Sequence, residues 1–397
     1  MTIGTPFHGR TAALNQKLAW RDWSGYFAAS AYADSLAIEY NAIREAAALI
    51  DVSPLYKYRL EGPDAGRLVD RIVTRDASRL AVGQVAYTPW CDEDGKVIDD
   101  GTIARLDEHA WRWTAADPQL RWFELNAGGL DVRIEEISES VAAVALQGPR
   151  ARDVLEAASG EDWADLRYYR RRASRLAGHD IDVSRTGYTG DLGYELWIPA
   201  PAAPEVWDAL MAAGAPYGLR PAGMLALDVA RLEAGLILIE VDYTSSRQAL
   251  APEERYSPTE IGLGRLVALD KDAPFVGCEA LRAERSAGGP ARRLVGLRLS
   301  WDDIAARFAE HGLTPSIAPE VSRTAVPILS HGRHVGRATS LGWSPMRKEM
   351  VALASVPSRF EAPGTQLEVE WTVAGRRGPV GAMVVPLPFF DPPRKKA

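Results

Sequence analysis

The chain has 397 residues, of which 47% are hydrophobic and 25% charged, a balance typical of a soluble globular protein with two or three domains. Its net charge of −7 gives no bulk attraction for nucleic acid or an anionic membrane, and no apolar stretch is long enough to span a bilayer. With only two cysteines, Cys91 and Cys278, and no basic region before an apolar run at its start, it is predicted to be cytoplasmic, without disulfides or a signal peptide.

The first part of the chain predicts a helix, a strand and a second helix. Apolar residues at helical spacing predict a helix over 31–50, which ends before Pro54 because proline disfavours helical conformation in the residue preceding it. A strand over 56–60 follows. Pro63 then stands where the first residue of the next helix, over 63–73, is expected.

A similar series recurs later in the chain. The apolar run over 141–146 predicts a strand, which is followed by Gly148-Pro149 and an apolar helix. Gly62-Pro63 occupies the same place in the earlier series, so each Gly-Pro pair closes a strand and opens a helix. The sequence therefore predicts two related α+β units in one larger body.

Between these two series, residues 83–100 predict a β-hairpin. Asp94-Gly95 is a strong turn signal, because glycine adopts positive φ without steric cost. The return strand over 96–98 leads into two adjacent carboxylates, Asp99 and Asp100. Neighbouring side chains of a strand point to opposite faces, so one aspartate should face inward. An inward carboxylate is costly unless something binds it, which makes this pair a candidate site.

The middle of the chain predicts two strands within 181–199, around a glycine-rich loop at 187–193. Two helices follow, over 204–213 and 223–234. The second should end at Gly235, a residue suited to the left-handed conformation of a helix cap.

The last part of the chain changes character to short β-rich runs separated by glycines, at 294–299, 325–329, 350–356 and 366–373. This pattern predicts a separate all-β barrel or sandwich, preceded by a linker at 284–290. The predicted domains are therefore 1–288 and 291–390.

The usual strong signals of cofactor chemistry do not occur. There is no glycine-rich nucleotide loop, and the six histidines show no metal-ligand spacing with cysteine or with each other, so no metal site is predicted.

Three polar stretches remain as candidates. The first is the Asp99-Asp100 pair with Tyr87. In the second, over 185–195, Tyr188 offers a stacking face and Glu195 two hydrogen-bond acceptors. In the third, Arg231 could bind a carboxylate through its planar guanidinium. Each also has an equally simple structural explanation: a capped turn, a packed tyrosine, or an Asp228–Arg231 ion pair on one helix face.

Several ordered motifs extend along nearly the whole chain: Asp51-Val52-Ser53, Gly95-Lys96-Val97-Ile98-Asp99-Asp100, Gly187-Tyr188-Thr189-Gly190, and Arg231-Leu232-Glu233-Ala234-Gly235. In this order and spacing they resemble the tetrahydrofolate-dependent aminomethyltransferase family, the T-protein of glycine cleavage and its relatives. The resemblance implies an α+β cloverleaf of three lobes. Two interleaved α+β lobes and a C-terminal β-barrel would surround tetrahydrofolate in a central channel.

The resemblance also implies a set of cofactor-binding residues: Leu55, Tyr87, Asp100, Tyr188, Glu195 and Arg231. Asp100 is the implied catalytic residue, beside the reacting nitrogen edge of folate, where it would orient folate and stabilise developing positive charge. Glu195 would accept hydrogen bonds from the pterin, and Arg231 would lie near the folate. Asp99 is then expected to be the structural member of the pair, hydrogen-bonded or solvated on the outer face.

Departures from the T-protein pattern bear on the one-carbon donor. Pro54-Leu55 replaces His-Met, Leu227 replaces an arginine, Leu238-Ile239-Glu240 replaces Leu-Tyr-Gly, and the connection over 242–258 is long and polar. These changes favour transfer of a methyl or methylene group from a small-molecule donor, an O-, N- or S-methyl or methylenedioxy compound. The alternatives are a true T-protein acting on a lipoylated carrier protein, and a non-catalytic folate-binding protein.

Overall fold

The structure is a computed structural model that describes residues 1–397. It has nine α-helices: α1 His8–Leu14, α2 Leu36–Glu45, α3 Ala65–Ile72, α4 Leu120–Asn126, α5 Ala151–Ser159, α6 Ala203–Gly214, α7 Met224–Glu233, α8 Cys278–Ser286 and α9 Trp301–Ala309. It has twenty strands: β1 Ile3–Gly4, β2 Ala19–Trp23, β3 Tyr26–Ala31, β4 Ala47–Asp51, β5 Tyr56–Glu61, β6 Val85–Cys91, β7 Val97–Arg105, β8 Ala110–Ala115, β9 Arg133–Glu136, β10 Val141–Gln147, β11 Arg171–Leu176, β12 His179–Ser184, β13 Gly193–Pro199, β14 Leu219–Pro221, β15 Arg292–Leu299, β16 Val326–Ser330, β17 Arg333–Ser344, β18 Glu349–Pro357, β19 Gln366–Val373 and β20 Arg376–Val385.

A six-stranded sheet in the order β11-β12-β13-β10-β4-β14 lies at the centre of the first α+β part. Helices cover both of its faces, α5 and α6 on one side and α2 and α7 on the other. Side chains of β10 alternate between these two cores, with Val144 and Leu146 in the first and Ala143 and Ala145 in the second. Burial on both faces explains why β10 is an uninterrupted apolar run.

The second α+β part is a five-stranded sheet in the order β6-β7-β8-β5-β9, packed against α3 and α4. Its core is rich in tryptophan. Trp90 and Trp113 meet edge to face with their ring centroids 5.1 Å apart. A small N-terminal sheet, β1-β3-β2, packs near α7 and was not anticipated from the sequence.

The last part is a closed barrel of six strands in the order β15-β18-β17-β16-β19-β20. The prediction of an α+β protein with a C-terminal all-β part is confirmed. The sequence pattern missed β17 and β20, as well as α9. The predicted linker is partly wrong, because α8 extends through Ser286 before Gly288 and Gly289 turn the chain.

The predicted helix over 31–50 is correct only in its middle, because α2 ends at Glu45 and residues 47–51 form β4. The chain leaves helical geometry at Ala46, where φ is −133° and ψ is −118°. Strand β4 is buried on both faces between β10 and β14, so its side chains show no polar alternation. Sequence periodicity does not distinguish such a strand from a buried helical segment.

The two Gly-Pro pairs occupy matching places in the two α+β parts. Gly62 lies between β5 and α3 with φ +135°, and Gly148 lies between β10 and α5 with φ +123°. A Cβ atom would lie 2.5 Å from the carbonyl oxygen of Asp131 at the first site and 2.6 Å from that of Ala46 at the second. Both turns therefore require glycine for its conformation and for its lack of a side chain.

None of the helices is both long and apolar enough to cross a membrane.

Candidate active site

A cavity of about 450 Å³ lies where the N-terminal, six-stranded and five-stranded sheets meet α7 and the segment after it. Its wall combines aromatic and aliphatic side chains with several carboxylates and two arginines, and its size is within the range of small-molecule sites. Five residues predicted to bind the cofactor line it: Leu55, Tyr87, Asp100, Tyr188 and Glu195.

Asp100 lies on β7, within the predicted hairpin. Its Oδ2 accepts a hydrogen bond of 2.5 Å from the hydroxyl of Tyr87, and its Oδ1 accepts one from the hydroxyl of Tyr243. Burial raises the pKa of the Asp100 carboxyl, and the two hydroxyl donors act in the opposite direction. Burial also raises the pKa of both tyrosines, which therefore keep their protons and remain donors.

The contact between Tyr87 and Asp100 is diagonal. In the β6–β7 pairing Tyr87 is opposite Thr102, and Asp100 is opposite Pro89. Tyr87 and Asp100 therefore lie on the same face of the sheet, displaced by one pair of residues along the strands, a distance that a tyrosine side chain spans.

Asp99 is completely buried and does not lie on a solvated outer face. One oxygen accepts from the backbone N–H groups of Ala116 and Asp117 at 3.1 and 3.0 Å, and from the side-chain amide of Gln119. The other accepts from the N–H of Asp100 at 2.7 Å. Burial and the neighbouring Asp100 charge raise its pKa. Asp99 thus fixes the loop after β8 against β7.

Glu195 and Tyr188 approach the cavity from β13 and from the loop before it. Glu195 accepts a hydrogen bond from Thr186, and burial raises its pKa while the charge of Arg112 lowers it. The hydroxyl of Tyr188 donates to the carbonyl of Ile237, so the ring is held against the segment after α7.

Arg231, the sixth residue predicted to bind the cofactor, does not line the cavity. The side chain is completely buried and donates to Asp228 at 2.9 Å, Asp242 at 2.7 Å and Ser340 at 2.8 Å. Since these partners occupy its guanidinium, Arg231 connects α7 to the barrel. The Asp228–Arg231 ion pair, which is the structural explanation considered for Arg231, is present in the structure.

Several cavity residues have no counterpart in the sequence prediction: Arg21, Trp23, Tyr169, Trp197 and Arg323. Arg21 and Trp23 lie on β2, in the unpredicted N-terminal sheet. Tyr169 and Glu240 have positive φ, +59° and +61°, which is rare for such residues and frequent near functional sites. No local sequence pattern marks these residues, because the cavity forms from segments distant in the chain.

Two protein-family profiles match successive parts of the chain. The profile of the GCVT N-terminal domain matches residues 7–271, and that of the glycine cleavage T-protein C-terminal barrel domain matches residues 292–391. An aminomethyltransferase of Moorella thermoacetica is 36% identical to the chain, with 98% of each protein covered. The chain therefore belongs to the glycine cleavage T-protein family.

Further similarities extend over the whole length of this T-protein family member. An aminomethyltransferase of Thermotoga petrophila is 35% identical, with 97% of each chain covered. A crystal structure of the glycine cleavage system aminomethyltransferase T from Bartonella henselae superimposes with a TM-score of 0.82 over 98% of each chain, at 24% identity. Because the two chains are only 24% identical, this structural match is evidence for the fold alone.

These relatives overturn the prediction of a small-molecule methyl or methylene donor. Proteins that align with nearly the whole chain carry the name aminomethyltransferase, which is the alternative considered above. Four altered residues, Leu55, Leu227, Ile239 and Glu240, do line the cavity. Substitutions in a cavity wall change its shape and polarity, but they do not identify which molecule donates the carbon.

Proposed function

We propose that the protein is an aminomethyltransferase that transfers a one-carbon unit from an aminomethyl group on a lipoylated carrier protein to tetrahydrofolate. The proposal rests chiefly on the full-length similarity to proteins named aminomethyltransferase. The chemistry of the cavity agrees with it. A flat pterin with a donor edge suits aromatic walls and the Glu195 carboxylate, and an anionic tail suits the arginines of the wall.

The residues of the cavity fit tetrahydrofolate, which when bound would supply the nitrogens that accept the carbon. Leu55, Tyr87 and Tyr188 would pack against its rings. Glu195, which has one hydrogen bond from Thr186, keeps acceptor capacity for the pterin donor edge.

Asp100 would act at the reacting end of the cavity. Its carboxylate is fixed by two tyrosine hydroxyls before any ligand enters, so little reorganisation is needed when positive charge develops nearby. Preorganised negative charge in a partly buried site stabilises a cationic transition state far more than the same charge does in water. This electrostatic role requires the ionised form of Asp100.

The proposed function is tested by reconstitution with a lipoylated carrier protein bearing the aminomethyl group and with tetrahydrofolate. We expect 5,10-methylenetetrahydrofolate and ammonia to form in equal amounts, and methylated amines, ethers and sulfonium compounds to give no folate product. Folate binding by calorimetry without turnover of the carrier would contradict the proposal and favour a non-catalytic folate-binding protein.

Asp100→Asn tests the assigned residue within that assay. We expect tetrahydrofolate binding to be retained and transfer to fall by about 100-fold or more, because the amide carries no charge. Asp302→Asn is the matched control, since Asp302 is exposed on α9 of the barrel and lies outside the cavity. Full transfer activity in Asp100→Asn would show that the role given to Asp100 is wrong.

A further inference from the structure

Arg21 is a cavity cation without a protein partner. It lies on β2, its side chain lines the cavity and is partly buried, and it neither donates a hydrogen bond nor forms an ion pair within the protein. Burial lowers its pKa, and the positive charge of Arg323 adds to this effect, while Asp228 and the exposed Glu320 oppose it. A guanidinium held in such a place without an anion costs free energy.

Arg323 is the second arginine of the cavity wall, and its side chain is about one third exposed. Its Nε donates to Oδ2 of Asp228 at 2.6 Å, and its other two guanidinium nitrogens donate to no protein group. Oδ1 of Asp228 already accepts from Arg231 at 2.9 Å. The Asp228 carboxylate is therefore shared between two guanidiniums.

Arg21 alone among the three arginines of this region has no anion bonded to it. Arg231 and Arg323 form ion pairs with Asp228 and Asp242. The further carboxylate that acts on Arg21, the exposed Glu320, forms no ion pair with it, and the positive charge nearest in effect is that of Arg323, which has free N–H groups. Two neighbouring guanidiniums with unused donors provide the geometry that binds carboxylates, each through parallel hydrogen bonds.

We propose that Arg21 and Arg323 form a subsite for the carboxylates of the glutamyl tail of tetrahydrofolate, an inference that rests on the proposed function above. The buried Arg231, predicted from the sequence to lie near the folate, donates through all three guanidinium nitrogens to Asp228, Asp242 and Ser340 and does not line the cavity. The subsite combines the N-terminal sheet with the segment before β16, two segments about 300 residues apart in the chain.

Direct binding measurements test the subsite without the carrier protein, so they remain informative if the proposed transfer reaction fails. The probes are tetrahydrofolate with one and with three glutamates, and 6-methyltetrahydropterin, which has no carboxylate. In the unaltered protein we expect affinity to increase with the number of glutamates and to decrease as salt is added, because charge pairs at a partly exposed site are screened.

Arg21→Gln is the most direct variant, because it removes no hydrogen bond or ion pair within the protein. We expect it to weaken binding of both glutamylated folates about tenfold and to leave binding of 6-methyltetrahydropterin unchanged. Arg21→Lys should restore part of the affinity by restoring the charge. Arg323→Gln should show the same selectivity for the tail, since Asp228 keeps its bond to Arg231.

Arg376→Gln is the matched control, an exposed arginine of β20 outside the cavity, and it should bind all three probes as the unaltered protein does. Equal weakening for 6-methyltetrahydropterin would overturn the proposal, as would unchanged binding of the triglutamate in Arg21→Gln. A higher KM for the carrier protein with unchanged folate affinity would also overturn it, and would assign the arginines to carrier docking.

Discussion

Tyr87 and Tyr243 each donate a hydrogen bond to one oxygen of Asp100, although they lie far apart in the chain. Tyr87 belongs to the same hairpin as Asp100, whereas Tyr243 belongs to the segment after α7, and each donates through its hydroxyl. Hydrogen bonds to the ionised form of a carboxyl lower its pKa, which here opposes the effect of burial. The tyrosines therefore set the pH range over which Asp100 is ionised.

Tyr87→Phe and Tyr243→Phe should each raise the pKa of Asp100 further above its ordinary value, because each removes one donor to the carboxylate. If transfer requires ionised Asp100, activity is lost as the pH falls through this pKa. The acidic limb of the rate profile should then move to higher pH in either variant.

The pH dependence of kcat, measured with the aminomethylated carrier, provides the readout. Tyr217→Phe is the control, because the Tyr217 ring packs near Arg150 while its hydroxyl bonds to no protein group, and its profile should be unchanged. An acidic limb that stays in place or moves to lower pH in Tyr87→Phe would contradict the assignment.

The turns that carry Gly62 and Gly148 connect a strand to a helix in the two α+β parts. At Gly148 the chain passes over the end of α2, close to the backbone carbonyls of Ile43 and Ala46. Strand β10 next to this turn pairs with both β4 and β13, and β13 carries Glu195. The turn at Gly148 thus affects the position of β10 and, through the β10–β13 pairing, that of Glu195.

Gly148→Ala should destabilise the protein by about 3 kcal/mol, because alanine disfavours the φ of +123° and its Cβ would lie 2.6 Å from the carbonyl oxygen of Ala46. Gly160→Ala, after α5, is the matched control with φ +71° and no atom within 4 Å of the new methyl group. It should cost only about 1 kcal/mol. Urea unfolding monitored by circular dichroism measures both, and equal losses would contradict this account.

Glu233 connects the barrel to the six-stranded sheet and its helices. This completely buried carboxylate, at the end of α7, accepts from Tyr40 and Arg44 of α2 and from Ser344 at the end of β17. Arg44 also donates to the carbonyl of Thr189, in the loop that carries Tyr188. One network therefore joins the barrel to the wall of the cavity.

Glu233→Gln should lower the free energy of unfolding by about 3–5 kcal/mol, because it leaves the buried Arg44 without its closest carboxylate. Glu310→Gln breaks a surface pair between the exposed Glu310 and the partly buried Arg307 and should cost less than about 1 kcal/mol. Thermal unfolding followed by calorimetry compares the two variants. A Glu233→Gln variant as stable as the control would show that the network contributes little to cohesion.

Local chemistry in the sequence determined the hairpin turn at Asp94-Gly95, the Gly-Pro turns and the strand character of most of the barrel. These features depend on φ preferences and on side-chain alternation within a few residues, which are properties of the segment itself. The family resemblance supplied the overall α+β architecture and five of the residues that line the cavity. The domain division between 288 and 291, and the catalytic role of Asp100, remain predictions.

Only the tertiary structure decided which charged residues face the cavity. Arg231 and Arg323 both contact Asp228, yet Arg231 is enclosed by Asp242 and Ser340 while Arg323 reaches the cavity wall. Arg21 and Tyr243 reach the site from segments that no local pattern connects to it. Burial and pairing of a charge depend on which distant segments pack around it, and this information is absent from the periodicity of any one segment.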